Sequence, residues 1–291
     1  MENINHVHWK QRLHSLQNDP LSFVLNALVH VGAFLTMTAI LFIISYILIK
    51  GIPHINLDLF SFSYTSENVS LLPAFVNTLY MAVLSLMFAI PIGIGSSIYL
   101  TEYANRNNSF IFIIRIATET LSGIPSIIYG LFGSLFFVKY AQFGLSLLSG
   151  ALTLSIIILP LIMRTTEEAL LSVPDSYREG SFALGAGKVR TIFKIVLPSA
   201  TSGIFSGIIL AIGRIVGESA ALIFTAGTVA EIASSIWDSS RTLAVHMFAI
   251  SGEGLYLNQT YATAVILLLL VITINLCSEV IVNYLGRGKK Q

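Results

Sequence analysis

The sequence predicts an all-α integral membrane protein with six spanning helices, on the evidence of its composition and of six long apolar segments. Of the 291 residues, 55% are hydrophobic and only 11% are charged. A soluble globular chain is typically about 25% charged, so this chain cannot cover a compact body of its size with charge. Lipid is the solvent that suits such a composition. Strands are excluded as spans because isolated strands leave backbone groups unpaired in lipid.

Each apolar segment is long enough to cross the hydrocarbon core, which takes roughly 20 residues of helix. The predicted spans are Asn26–Ile49, Phe75–Leu100, Phe110–Val138, Leu145–Met163, Ser199–Thr225 and Tyr261–Leu285. The first segment is too long for the apolar region of a signal peptide, so we expect an uncleaved first span. The spans form one transmembrane domain over residues 26–285, between an N-terminal arm (1–25) and a tail (286–291).

The distribution of basic residues predicts the orientation. Most lysines and arginines fall in the arm, in the loop 164–198 and in the tail, whereas the loops on the other side carry only Lys50, Lys139 and Arg241. Because loops rich in Lys and Arg stay in the cytoplasm, both termini and the loop 164–198 are expected to be cytoplasmic.

Two polar regions outside the spans offer no catalytic or metal chemistry. The arm carries His6, His8 and His14, but no carboxylate or thiolate completes a ligand set, so we expect a solvated or interfacial segment and no metal site. The long outer loop 226–260 has apolar residues at roughly helical spacing. They are Ile232, Ile236, Leu243 and Met247. This spacing predicts a short amphipathic helix lying on the membrane or on a partner.

The loop 164–198 is predicted to be a compact helix–turn–helix. Ser172, Pro174 and Asp175 suit the start of a helix, since a hydroxyl can cap it, proline fits its first turn and a negative charge favours its N-terminus. Gly185 can end this helix in the left-handed conformation. A second short helix follows, and Pro198 opens the fifth span.

The same loop resembles the docking loop of bacterial ABC importer permeases. The resemblance lies in Glu179-Gly180-Ser181, in Gly185 four residues later, and in Ile195-x-Leu197-Pro198. The opening is Glu-Gly-Ser where the family usually has Glu-Ala-Ala, which lowers helix propensity by up to about 1 kcal/mol. The resemblance implies that this loop binds a cytoplasmic ATPase. The implied coupling residues are Glu179, Gly180, Ser181, Phe182, Leu184, Gly185, Ile195, Leu197 and Pro198.

This chain is not expected to hydrolyse ATP itself. Its nearest approach to a phosphate-cradling loop is Gly187-Lys188, which is followed by Val189 and lacks the preceding glycine. We therefore expect a transport subunit with no cofactor of its own and a separate ATPase partner.

Two charged pairs inside the spans are candidates for the substrate pathway. Arg115 and Glu119, and likewise Arg214 and Glu218, are spaced i, i+4, which places each pair on one helix face. A charge in the hydrocarbon costs ~2.5–3.5 kcal/mol and usually faces a pathway or another charge. Internal ion pairing or a snorkelling arginine is the alternative reading. A multivalent anion would need such cations together with hydrogen-bond donors, here Ser126 and Ser219.

Three segments resemble the phosphate branch of these permeases, and the last resembles the PstA type more than the PstC type. They are residues 121–130, 183–198 and 211–226. The resemblance covers about residues 25–285. It implies a type I ABC importer permease bundle in a bacterial plasma membrane, which pairs with a homologous second permease, two copies of a cytoplasmic ATP-binding subunit and an extracytoplasmic phosphate-binding protein.

Other functions remain open at this point. A permease of the same architecture could carry phosphonate, sulfate or an amino acid, and an ion channel or a secondary transporter would need no ATPase. A membrane-embedded enzyme is disfavoured because the spans hold no Ser/His dyad and no His-Glu-x-x-His motif. His30 is the only histidine in a predicted span.

Overall fold

A computed structural model describes residues 20–104 and 109–287. All of its long secondary-structure elements are helices. The helices are α1 (Pro20–Gly51), α2 (Leu72–Ile98), α3 (Ser109–Ser122), α4 (Ser126–Gly133), α5 (Leu147–Leu171), α6 (Asp175–Ala183), α7 (Lys188–Thr191), α8 (Leu197–Gly217), α9 (Ala220–Thr225), α10 (Leu243–Glu253) and α11 (Leu257–Arg287). Wider π-helical turns extend α2 over Tyr99–Tyr103, extend α4 over Ser134–Tyr140 and join α7 to α8 over Ile192–Val196.

The predicted all-α membrane fold is confirmed. Five helical runs are long and apolar enough to cross a membrane, namely α1, α2, α5, the run from α7 through α8, and α11. The pair α3 and α4 makes a sixth crossing if the two bent halves count as one span. No strand occurs in residues 20–104 and 109–287.

The chain divides at Lys50 into two units. The described part of the first unit is residues 20–50 of α1, an apolar helix long enough to cross the hydrocarbon core. α1 begins at Pro20, so the last residues of the predicted arm already belong to the first span. His6, His8 and His14 lie outside the described residues, as do residues 288–291 of the tail.

α5 forms the centre of the second unit. In its most apolar window 67% of the residues are buried, compared with 28% for α2. The buried polar residues of α5 are satisfied within the helix itself. Thr153 and Ser155 donate hydrogen bonds of 2.8 and 2.7 Å to carbonyls one turn earlier, so neither hydroxyl needs water. The predicted fourth span ended too early at Met163, because the last two turns of α5 carry charges and still continue the helix to Leu171.

Helices α2, α4, α8 and α9 pack against α5, and α10 packs against α2, α8 and α9. Their buried apolar residues form one core cluster that includes Met81, Ile158, Ile215, Leu222 and Val245. The contact with α8 is close because Gly207 faces Thr165, and a Cβ at Gly207 would overlap the Thr165 hydroxyl. Small residues thus bring the two backbones together where no hydrophobic driving force exists between helices.

Candidate functional site

The predicted third span is not one helix. α3 ends at Ser122 and α4 begins at Ser126, and the two axes differ by 103°. Pro125 stands at the break, where it has no N–H to continue the helix ladder. The Tyr129 hydroxyl closes over the break by donating a 2.7 Å hydrogen bond to the carbonyl of Leu121. The break leaves Ser126, a predicted pathway residue, half-buried at the start of α4.

The predicted fifth span is also interrupted, at Glu218 and Ser219. α8 ends at Gly217, and Glu218 has extended backbone angles (φ −78°, ψ 126°). The prediction that Arg214 and Glu218 share a helix face is therefore wrong, because the helix stops between them. The Glu218 carboxylate instead accepts a hydrogen bond of 3.2 Å from the backbone N–H of Ala221, at the start of α9.

The two breaks lie together, because the short helices that follow them pack side by side. A Cβ at Gly130 in α4 would come within 2.7 Å of the Cα of Ala221 in α9. Arg214 lies in the last turn of α8, directly before the second break, and its side chain is exposed in this chain. Arg214 stands between Ala211 and Ile215, which are both buried in the core cluster around α5. Gly203 and Gly207 of α8 face Ala169 and Thr165 of α5, so the two helices run antiparallel and the last turn of α8 lies opposite the middle of α5. Ser126, Arg214, Glu218 and Ser219 therefore belong to one region at that level.

The other predicted pair contributes to a different cavity. Arg115 and Glu119 on α3 line a cavity of about 310 Å³ together with Thr118, Ser122 and Glu167. Arg115 forms an ion pair of 2.5 Å with Glu167 of α5. The sequence spacing suggested Glu119 as its partner; Glu167 was missed because it lies 52 residues further along the chain and meets Arg115 only through the packing of α3 on α5.

Residues 174–198 form a stiff turn, which we call the elbow. α6 covers most of the predicted first helix, and Gly185 ends it with φ +79°, as predicted from the left-handed preference of glycine. The buried hydroxyls of Ser181 and Thr191 lie 2.8 Å apart and join α6 to α7. The predicted second short helix is not separate, because α7, the π-helical turn and α8 form one continuous helical run.

The residues expected to touch a partner divide into two groups. Phe182 and Leu184 are exposed at the tip of the elbow, Leu184 to 91%, and Glu179 and Gly180 are exposed beside them. Other residues of the motif face inward. Ser181 is buried, and Leu197 packs against the core cluster where α5 meets α8. Ser181 and Leu197 therefore shape the elbow and do not form its outer surface.

Sequence reasoning missed the residue that holds the elbow against α2. Arg178 of α6 donates from Nη2 and Nε to Oε1 of Glu102, over 2.8 and 3.1 Å. The same guanidinium donates to the carbonyls of Leu170 and Val173 at 2.9 and 2.8 Å. Both charged side chains are largely buried, with 15% of Arg178 and 9% of Glu102 exposed. Nothing in the local sequence around Glu102 indicates this contact.

The loop between α9 and α10 is fastened at the opposite end of the bundle. Asn77 of α2 donates a 2.8 Å hydrogen bond to the carbonyl of Glu231 and accepts one of 3.0 Å from the N–H of Ala233. The loop also bonds to α5, since the N–H groups of Leu147 and Leu148 donate to loop carbonyls. Several backbone groups of residues 226–242, which form no helix, are thus hydrogen-bonded to the bundle.

The predicted amphipathic helix of this loop is wrong in extent and in surroundings. α10 begins only at Leu243, so Ile232 and Ile236 lie outside it. Leu243, Val245 and Ile250 are buried in the bundle, whereas a helix resting on the membrane would expose one face.

A buried charge accompanies this loop. Arg241 is 5% exposed and its guanidinium lies 4.5 Å from the centre of the Tyr64 ring. His246 of α10 is completely buried, and neither of its ring nitrogens has a hydrogen-bond partner among the described residues. Burial, and secondarily the nearby positive charge of Arg241, lowers the pKa of His246 to about 3, so this imidazole is neutral at physiological pH.

No metal centre is evident in the part of the chain that the structure describes, since no three His, Cys, Asp or Glu side chains there could share an ion.

Comparison with known proteins identifies the family. Residues 89–291 match the family described as the binding-protein-dependent transport system inner membrane component. The chain belongs to this family. It is therefore a membrane subunit of a transport system and not an enzyme. The permease bundle predicted from the sequence is confirmed, and the match includes both breaks and the elbow.

Relatives of this permease carry transport names. It is 35% identical over 231 residues to the probable ABC transporter permease protein YqgI of Bacillus subtilis, covering 72% of this chain and 76% of that one. It is 34% identical over 231 residues to the phosphate transport system permease protein PstA of Xylella fastidiosa, covering 78% of this chain and 80% of that one.

A solved structure shares the fold. A chain of a bacterial alginate ABC transporter, crystallised with its alginate-bound periplasmic protein, superposes with a TM-score of 0.64 at 13% identity and covers 90% of this permease and 95% of that chain. At this identity the likeness establishes the arrangement of helices alone.

Proposed function

We propose that this permease forms the path by which inorganic phosphate is imported at the expense of ATP. The observation that carries the proposal is Arg214, a cation exposed at the level of the middle of the bundle beside two helix breaks. Backbone freed from a helix is tolerated at membrane depth only where it is buried in protein or lines a water-filled cavity. The choice of phosphate as the substrate rests on relatives that are named as phosphate permeases.

The pathway would run along the face that carries Arg214, Glu218, Ser219 and Ser126. A planar guanidinium can bind a phosphate through paired hydrogen bonds, and the two serines can donate further ones. Because Arg214 is exposed in a single chain, a homologous second permease would close the other side of the pathway. The Arg115–Glu167 ion pair and Glu119 would line its inner end.

The elbow would receive work from a cytoplasmic ATPase. Its exposed apolar tip at Phe182 and Leu184 suits a groove on such a partner, and Glu179 would fix the orientation. Two ATPase copies, one for each permease, and an extracytoplasmic phosphate-binding protein would complete the assembly. The basic residues of the elbow support a cytoplasmic position for it and for both termini in a bacterial plasma membrane.

The proposal is tested by uptake of radiolabelled phosphate into vesicles that hold the reconstituted complex. We expect Arg214→Gln to abolish uptake while the subunits still assemble, and Arg214→Lys to retain a fraction of it, because lysine keeps the charge but loses the planar fork. Lys139→Gln, which removes an exposed cation outside this region, serves as the control.

Uptake by Arg214→Gln at the wild-type rate would remove Arg214 from the pathway. Excess unlabelled sulfate or phosphonate tests the other anions: competition as strong as that of unlabelled phosphate would make the substrate assignment wrong. Uptake by this subunit without any ATPase would favour a channel or a secondary transporter instead.

A further inference from the structure

The elbow is joined to α2 at two points, although α2 is far from it in sequence. Arg178 binds Glu102 as described above, and the ammonium of Lys188 lies 4.8 Å from the centre of the Tyr103 ring. Glu102 and Tyr103 are neighbours in the π-helical turn that ends α2, so one residue from α6 and one from the start of α7 hold the same turn.

The Arg178–Glu102 contact differs from an ordinary surface ion pair in its burial and in its number of hydrogen bonds. A surface pair is held weakly because water competes for both partners, but these two side chains are mostly buried. The guanidinium of Arg178 also donates hydrogen bonds to two carbonyls at the end of α5. It is therefore held by Glu102 and by both of these carbonyls. The exposed carboxylate of Asp175 lies 3.1 Å from the same guanidinium and is 88% exposed, which makes it a minor partner.

α2 extends from the elbow to the opposite end of the bundle and has Pro91 inside it. From Leu72 to Tyr103 it is one helical run of 32 residues, which at 1.5 Å per residue spans about 48 Å. Ser97 donates a 2.8 Å hydrogen bond to the carbonyl of Met163, so the run is also fixed against α5. Its first turns hold the loop between α9 and α10 through Asn77.

We propose that the Glu102–Arg178 ion pair is the link through which the elbow moves α2, and that α2 carries this movement to the opposite face of the membrane. The inference rests on the proposed function, in which an ATPase moves the elbow. Glu102 and Arg178 are positioning residues in this scheme, since neither needs to touch the substrate. α2 would then move with the elbow in addition to α5 and α8, which the chain itself connects to the elbow.

The test is the ratio of phosphate transported to ATP hydrolysed in the reconstituted complex. We expect Glu102→Gln to lower this ratio about threefold, because a neutral amide keeps one hydrogen bond of roughly half the strength. Glu102→Ala should lower it about tenfold, since it leaves a buried guanidinium without its main partner. ATP hydrolysis and co-purification of the ATPase should persist, which a merely misfolded elbow would not allow.

Asp175→Asn is the matched control, because it changes the exposed carboxylate on the same arginine and should leave the ratio unchanged. A wild-type ratio in Glu102→Gln, or an equal loss in Asp175→Asn, would overturn the link. If Glu102→Gln fails to assemble, Arg178→Lys decides: it keeps the charge but loses the planar fork that binds Glu102, so it should lower the ratio, and an unchanged ratio would overturn the link. Absence of uptake in the wild-type complex would refute the proposed function and is distinct from all of these results.

Discussion

The buried His246 makes the stability of this permease depend on pH in a calculable way. In the folded chain the pKa of His246 is lowered to about 3, whereas a histidine in an unfolded chain titrates near 6.5. As pH falls below 6.5 the unfolded chain takes up a proton that the folded chain refuses until about pH 3, so stability is lost over that window. The linkage relation gives a loss of about 2 kcal/mol between pH 7 and pH 5.

Thermal unfolding in detergent, followed by tryptophan fluorescence, measures this loss. A change of about 2 kcal/mol lowers Tm by about 3 °C in a protein of this size, from an unfolding entropy of about 2.1 cal/mol/K per residue. His246→Gln cannot take up the proton, so its Tm should fall by correspondingly less between pH 7 and pH 5. His54→Gln, which replaces an exposed histidine, should behave as the wild type. Equal falls in Tm for His246→Gln and the wild type would refute the reasoning.

Two glycine substitutions test the packing of the breaks and the geometry of the elbow. Gly130→Ala forces α4 away from Ala221 and should lower both Tm and phosphate uptake, at a cost of about 1–3 kcal/mol in stability. Its control is Gly95→Ala, whose added Cβ meets nothing within 4 Å and should leave Tm and uptake unchanged. Equal losses in the two variants would contradict the close packing of α4 and α9. Gly185→Ala places a side chain at φ +79° and should cost about 1 kcal/mol, seen as a lower Tm; Gly187→Ala, at φ −74°, is its control, and an unchanged Tm in Gly185→Ala would mean that the turn relaxes.

The features that the sequence predicts well are those with a local cause. Six apolar segments predict six crossings because lipid acts on each segment separately. Gly185 predicts the turn of the elbow because the left-handed conformation is a property of one residue. The exposed tip at Phe182 and Leu184 follows from the same local pattern, since the turn that follows α6 leaves these side chains outside the bundle.

The features that the sequence does not predict depend on contacts between distant segments. Pro125 indicated a disturbed helix, but the bend of 103° depends on how α4 packs against α9. The i, i+4 spacing of Arg214 and Glu218 assumed a continuous helix, and that helix ends at Gly217. Arg115 pairs with Glu167, and Arg178 with Glu102, across 52 and 76 residues of chain, distances at which no periodicity argument applies.

The hydrogen bonds of Asn77 bear on how this surface can evolve. The side-chain amide of Asn77 bonds to main-chain groups of the loop, the carbonyl of Glu231 and the N–H of Ala233. Every residue except proline has both of these main-chain groups. The side chains of residues 229–237 can therefore change by substitution while the loop keeps its hydrogen bonds to Asn77 of α2. Point substitutions could therefore change the chemistry of this outer surface while its hydrogen bonds to α2 stay the same.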